Sequence, residues 1–444
     1  MLQFIGKNKS DSMVKKIKKN WYNSPIFLTI IGLVGGAILS FVATYYFSIR
    51  DERIEKSKLE TSIGYADQLL SEGMPQDALS KYQEIMVSIS KDNRPQLYAR
   101  VKRGEGLCYY YLAFDTNSED YFKKAIASMN EAVSIFTLSK YPEDYAKTNG
   151  YLANALLAIS EIRDKKNYLM SAIAANEEAL KVYGKEKYPF EYAKTKMNLG
   201  VDYESISEIN DKKDFLQKAV TCYKEAAEVF TFSEYPVEYA TVKLNLANAY
   251  TGFAEIEESS NYIVEAIGAY EEALKEFTIE KYPEDYASIQ LNMALAYESL
   301  GALNGSPDDL NKAKIAYENA LGIFTFEKYP YNYGAIKINL ATLFLKLAES
   351  GNAGFYTESM KSIDEALKVF TVDLYPRDYA LAKIIQGDFY YSYALSSSDN
   401  KEKNLQHSLD AYSEALKVFQ QSSYPEDYAI IQEKIKFVYA EQNK

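Results

Sequence analysis

Residues 236–281 read PVEYATVKLNLANAYTGFAEIEESSNYIVEAIGAYEEALKEFTIEK, and a Tyr-Pro pair stands at each end, Tyr235-Pro236 before and Tyr282-Pro283 after. Proline fits the first turn of a helix, where its missing N–H has no partner to lose. Glu238 follows within that turn and suits the positive end of the helix dipole. Tyr239, Val242, Leu246, Tyr250 and Phe253 then recur at three and four, which is one face of a helix. Polar residues over 257–261 make a turn. Ile263, Ala266, Ile267, Tyr270, Ala273, Leu274 and Phe277 form a second apolar face. The stretch is a helix-turn-helix that cannot bury either face alone, so it needs neighbours.

Working outward, the same phrase recurs. Tyr-Pro pairs end at Pro142, Pro189, Pro236, Pro283, Pro330, Pro376 and Pro425, with spacings of 47, 47, 47, 47, 46 and 49 residues. Pro95 lies 47 residues before Pro142. Three residues after each proline stands a tyrosine: Tyr98, Tyr145, Tyr192, Tyr239, Tyr286, Tyr333, Tyr379 and Tyr428. Six residues before it stands an aromatic, as in Phe136, Tyr183, Phe230 and Phe277, and ten before it an alanine, as in Ala132, Ala179 and Ala226. A period of this size denotes stacked supersecondary units. No segment shows the alternation of a strand. The reading is a short hairpin over 57–92, seven hairpin repeats over 93–424 and a capping helix over 425–444, about 17 helices in an all-α solenoid.

Ahead of the repeats, PIFLTIIGLVGGAILSFVATYYFSI (25–49) carries no charge. Its length matches a hydrocarbon core of about 30 Å, and Trp21, Tyr22, Tyr45 and Tyr46 flank it as an aromatic belt would. The expectation is one transmembrane helix. The stretch is longer than the apolar part of a signal peptide, and no clean A-x-A site follows. Six lysines against one aspartate in the tail 1–24 favour a cytoplasmic N-terminus, with the repeats extracytoplasmic on a single-pass cell-membrane protein. Gly32, Gly36 and Ser40 form a small-residue stripe suited to helix pairing, hence a homodimer through this helix.

Composition narrows the chemistry. One histidine (His407) and two cysteines (Cys108, Cys222) leave too few ligands for a zinc or iron–sulfur site. There is no phosphate-binding glycine loop, no G-x-S-x-G and no H-E-x-x-H. No cofactor and no enzymatic activity are expected. The net charge is −12 and the basic tail is part of it, so the repeat body is more acidic still and poorly suited to nucleic acid.

The runs MNLGVDY (197–203), LNLANAY (244–250) and LNMALAY (291–297) resemble the first helix of a tetratricopeptide repeat, and Ala219, Tyr223 and Ala226 resemble its second. The likeness covers 57–444. The family period is about 34 residues, so these helices are longer by roughly two turns in all. HEAT-type repeats share the longer period but do not account for the Asn-Leu-Gly-x-x-Tyr run. The resemblance implies a right-handed superhelical solenoid with a concave groove that binds a protein or peptide. It implies that Asn198, Asn245, Asn292 and Asn339, nine residues after each proline, face that groove, with Asn154 and Asn248 one turn on and Lys147 and Lys194 one turn before. A bland alternative is that the asparagines bind the next helix and space the repeats. The expected function is a membrane-tethered scaffold that recruits a partner. The alternatives are a structural spacer of the envelope, or a cytoplasmic signalling adaptor if the topology is reversed.

Overall fold

The computed structural model describes residues 25–116, 118–396 and 400–443, with the side chains of 25–39, 42, 43 and 47 outside that description. Among the described residues there are 17 helices and no strand: α1 (Pro25–Ser71), α2 (Pro75–Met86), α3 (Pro95–Thr116), α4 (Glu119–Val133), α5 (Pro142–Ser160), α6 (Lys165–Leu180), α7 (Pro189–Ser207), α8 (Lys212–Ala227), α9 (Pro236–Glu257), α10 (Ser260–Ala273), α11 (Pro283–Asn304), α12 (Pro307–Leu321), α13 (Pro330–Glu349), α14 (Phe355–Val369), α15 (Pro376–Ser396), α16 (Lys401–Leu416) and α17 (Pro425–Gln442). They form two compact units, 1–155 and 156–444, whose boundary falls within α5. Within the units, α3–α4, α7–α8, α9–α10, α11–α12, α13–α14 and α15–α16 pack as helical hairpins. The fold is all-α, built of helical repeats.

The Tyr-Pro pair has a physical cause. Proline opens the first helix, and the preceding tyrosine, with ψ near 60–70°, ends the turn that leads into it. That tyrosine ring meets the aromatic five residues earlier edge-on. The pairs are Phe136–Tyr141, Tyr183–Tyr188, Phe230–Tyr235, Phe277–Tyr282, Phe324–Tyr329, Phe370–Tyr375 and Phe419–Tyr424, with centroids 5.3–5.7 Å apart. Each such pair adds about 1 kcal/mol beyond its area.

Two further tyrosine series do different work. The tyrosine three residues after each proline is half-buried. In four repeats it clasps the hairpin by donating to a second-helix glutamate: Tyr98 to Glu131 at 2.7 Å, Tyr239 to Glu272 at 2.6 Å, Tyr192 to Glu225 at 3.3 Å, and Tyr333 to Glu365. The fully buried tyrosines are Tyr82, Tyr223, Tyr270, Tyr317 and Tyr412, thirteen residues before the prolines, on second helices. Their rings fill the core and their hydroxyls reach a polar side chain of a first helix.

The turns that follow α5, α7, α9, α11 and α15 each use a left-handed residue: Asp164, Asp211, Glu258, Gly305 and Asn400 have φ of 46°, 34°, 47°, 63° and 59°. Aspartate, asparagine and glycine tolerate that region, whereas glutamate pays about 1 kcal/mol or more. Glu258→Gly is expected to stabilise the second unit by about 1 kcal/mol, read as a higher urea midpoint with an unchanged slope.

The expectation of a transmembrane helix over 25–49, and with it a single-pass membrane location, is corrected. Among the described residues no helix is long and apolar enough to cross a membrane. The segment is not a separate element: α1 runs unbroken for 47 residues, through Arg50, Asp51, Glu52 and Arg53, and its C-terminal part packs on α2. At 1.5 Å per residue that is about 70 Å of helix, and from residue 50 onward it is charged. The first helix of the short hairpin is therefore the continuation of the apolar stretch. Ser40 is exposed. The surroundings of Gly32 and Gly36, and the tail 1–24, lie outside the described residues, and the small-residue pairing loses its membrane setting.

Candidate functional site

Successive first helices present the same stripe of positions: five, nine, twelve, sixteen and nineteen residues after the proline. On α9 these are Thr241, Asn245, Asn248, Gly252 and Glu255. Spacings of three and four put them on one helical face. Among the described residues, a cleft opens on this stripe in each unit.

In the first unit the cleft measures about 610 Å³ and is lined from α1, α2, α3 and α5 by residues that include Asp67, Arg100, Arg103, Tyr111, Lys147 and Tyr151. Its charges are mutually held. Asp67 accepts from Tyr82 Oη and from Arg100 Nη2, each at 2.5 Å. Arg103 Nη1 donates to Asp144 at 2.7 Å, and its guanidinium lies 5.3 Å from the Phe136 ring centre. Lys147 is exposed, with its ammonium 6.0 Å from the Tyr151 ring centre. Burial and the Asp67 carboxylate push the Tyr82 hydroxyl far above the ordinary phenol range, so it remains a donor.

In the second unit a smaller cleft of about 270 Å³ lies over α7, α9 and α11, with Glu204, Asn248, Thr251, Gly252, Tyr270 and Asn292 in its wall. Tyr270 Oη donates to Asn248 Oδ1 at 2.7 Å, and Asn292 Nδ2 reaches the same oxygen at 3.4 Å. Asn248 therefore ties one repeat to the next. Glu204 accepts from Tyr223 Oη at 2.8 Å, and burial pushes its carboxyl up to about 7.

Of the residues singled out in the sequence, the structure brings Lys147 into the first cleft and Asn248 and Asn292 into the second. Asn154, Asn198, Asn245 and Asn339 are half-buried on first helices and Lys194 is exposed, but none of them lines either cleft. Sequence reasoning missed Arg100, Arg103, Glu204 and Gly252. Arg100 sits at the same repeat phase as Lys147 and Lys194, and Glu204 at the same phase as Glu298, so the repeat alignment held a signal for both. Cys108 and Cys222 are buried thiols, pushed up to about 12 and about 11 by burial. His407 is half-buried beside Tyr390, with ring centres 5.1 Å apart. Among the described residues no group of three His, Cys, Asp or Glu side chains is placed to hold a metal.

No family model matches the chain, and no curated protein matches it at a significant level. Solved structures are similar to it. The apo form of RapI is 13% identical over 82% of this chain and 98% of its own, with a TM-score of 0.50. The apo form of the quorum sensor NprR from B. thuringiensis is 15% identical over 87% and 99%, with a TM-score of 0.47. The C-terminal part of a TPR repeat-containing protein from Cytophaga hutchinsonii is 16% identical over 69% and 95%, with a TM-score of 0.42. At this identity the likeness to RapI concerns the fold alone: a chain of stacked helical repeats.

Proposed function

We propose that this chain is a protein-interaction scaffold that takes a peptide or protein segment along the first-helix stripe of its repeats, and that it is a binding protein rather than an enzyme. The observation that carries this reading is the repetition of one helical phase. In each unit the cleft lies on the same stripe, walled by polar side chains that stand between successive first helices. An extended surface of stacked helix pairs is what such folds offer a partner. Asn248 is already bonded to Tyr270 and Asn292, so it spaces the repeats as well as lining the cleft.

The test is site-specific photocrosslinking in the native setting. A photoreactive residue placed at Asn245 on the first-helix stripe is expected to capture a discrete partner, whereas one at the exposed Thr221 on α8 is not. Equal capture from both positions, or from neither, would overturn the reading. Adding Asn292→Ala to the chain that carries the photoreactive residue at 245 is expected to weaken capture while leaving the melting temperature within a few degrees.

A further inference from the structure

Glu204 and Glu298 hold the same place in two repeats, fifteen residues after Pro189 and Pro283. Each accepts from a buried tyrosine nineteen residues on, Tyr223 Oη at 2.8 Å and Tyr317 Oη at 3.0 Å. Glu298 has a second partner: Lys346 Nζ, forty-eight residues on in the next first helix, at 2.6 Å. Forty-eight residues after Glu204 stands Gly252, which has no side chain to offer. The three-part arrangement recurs elsewhere. Asp388 takes Tyr412 Oη at 2.6 Å and Lys434 Nζ at 2.7 Å, and Asp67 takes Tyr82 and Arg100. Among these tyrosine-bound carboxylates, Glu204 lacks the cation.

What occupies the missing side chain's place is the cleft of about 270 Å³ bounded by Gly252, Asn248, Thr251 and Asn292. The other charges that face it are already matched. Glu208 of α7 pairs with Lys165 at 2.6 Å, and Glu255 of α9 pairs with Lys212 of α8 at 2.8 Å. The remaining titratable groups there are the hydroxyls of Tyr223 and Tyr270. A half-buried carboxylate with one neutral donor and no counter-charge is costly, and an approaching cation recovers that cost.

We propose that this cleft receives one cationic side chain, a lysine ammonium or an arginine guanidinium carried by a partner polypeptide, whose charged end stands to Glu204 as Lys346 Nζ stands to Glu298. The molecule thus displays, one pair of repeats along, the bonding its ligand completes. The acidic body draws basic segments in general, and Glu204 gives one residue of such a segment a fixed seat. The inference rests on the scaffold reading and names the side chain that reading requires at one position.

The test titrates the full chain with hexalysine at constant, low ionic strength and pH 8, where Glu204 is ionised. Glu204→Gln keeps the shape and the tyrosine bond and is expected to weaken binding at least tenfold. Glu280→Gln, which removes one exposed carboxylate elsewhere, is expected to leave binding unchanged. Gly252→Lys supplies the cation internally and is expected to abolish the Glu204-dependent part. A β-carbon there lies 3.0 Å from Leu216 Cδ1, so its melting temperature is checked alongside. A Glu204-dependent response to spermidine as strong as that to hexalysine would assign the seat to a free polyamine instead. Hexalysine binding Glu204→Gln as tightly as the native chain would overturn the proposal. Partner crosslinking from position 245 that persists in Glu204→Gln would then leave the scaffold reading standing.

Discussion

Gly200→Ala is expected to destabilise the second unit by about 3 kcal/mol, the upper end for overpacking a core. Alanine in the middle of a helix ordinarily improves on glycine by about 0.5–1 kcal/mol, so the sign is reversed by tertiary contact. A β-carbon at 200 would stand under 3.0 Å from Cε1, Cδ1 and Cζ of Tyr223, whose side chain is completely buried and has nowhere to turn. Gly387 meets Tyr412 in the same way. The melting temperature should fall by roughly 5–10 °C. Pairing Gly200→Ala with Tyr223→Phe should change nothing further in the clash, because the ring carbons remain, whereas Tyr223→Leu should relieve it. Gly268→Ala serves as the control: nothing lies within 4 Å of its β-carbon, and a small gain is expected. An unchanged midpoint for Gly200→Ala would show that the Tyr223 ring moves aside.

Asp202→Asn is expected to stabilise the chain at pH 8 and to make no difference near pH 4. Asp202 is 1% exposed and takes one hydrogen bond, from Asn176 Nδ2 at 2.7 Å. The other atom of that amide, Asn176 Oδ1, is the buried side-chain oxygen among the described residues that has no hydrogen-bond partner. Burial pushes the Asp202 carboxyl up to about 8, against about 3.9 in an unfolded chain. The folded state therefore binds the proton more tightly than the unfolded one. The stability this contributes is fully present below about pH 4 and is lost as the pH rises through 8. Over that window the native chain should lose about 5 kcal/mol through this group, and Asp202→Asn should remove that slope. Parallel unfolding curves for the two proteins from pH 5 to 8 would refute the assignment of the proton to Asp202.

Both expectations turn on one repeat position, thirteen residues before the proline. Tyrosine stands there at 82, 223, 270, 317 and 412, and a glycine opposite is the notch for the ring at 82, 223 and 412. Asparagine stands there at 176, where it meets Asp202. The sequence alone displays the substitution, but the pairing of Asn176 with a carboxylate of the next hairpin exists only in the folded chain.

The helix-pair fold was legible because period, proline and apolar spacing agree at every repeat. Pro189, Pro236, Pro283, Pro330 and Pro425 open helices, and polar stretches such as 257–261 make the turns. The apolar stretch over 25–49 misled for a physical reason. Local composition cannot tell an isolated span from the first half of a longer helix, and α1 continues without a break into the first hairpin. The candidate site was half legible. Repeat phase placed Lys147, Asn248 and Asn292 on the stripe where the two clefts open, yet it could not show that Asn248 is already engaged by Tyr270.

Periodicity by itself determined that this protein is a series of paired helices, since each amphipathic face recurs at a spacing that only a neighbour can cover. The tertiary structure decided which polar groups are spent and which stand ready. Glu298 and Glu204 are the same residue at the same phase, and what separates them is a lysine or a glycine forty-eight residues away, brought alongside by the stacking of one first helix on the next.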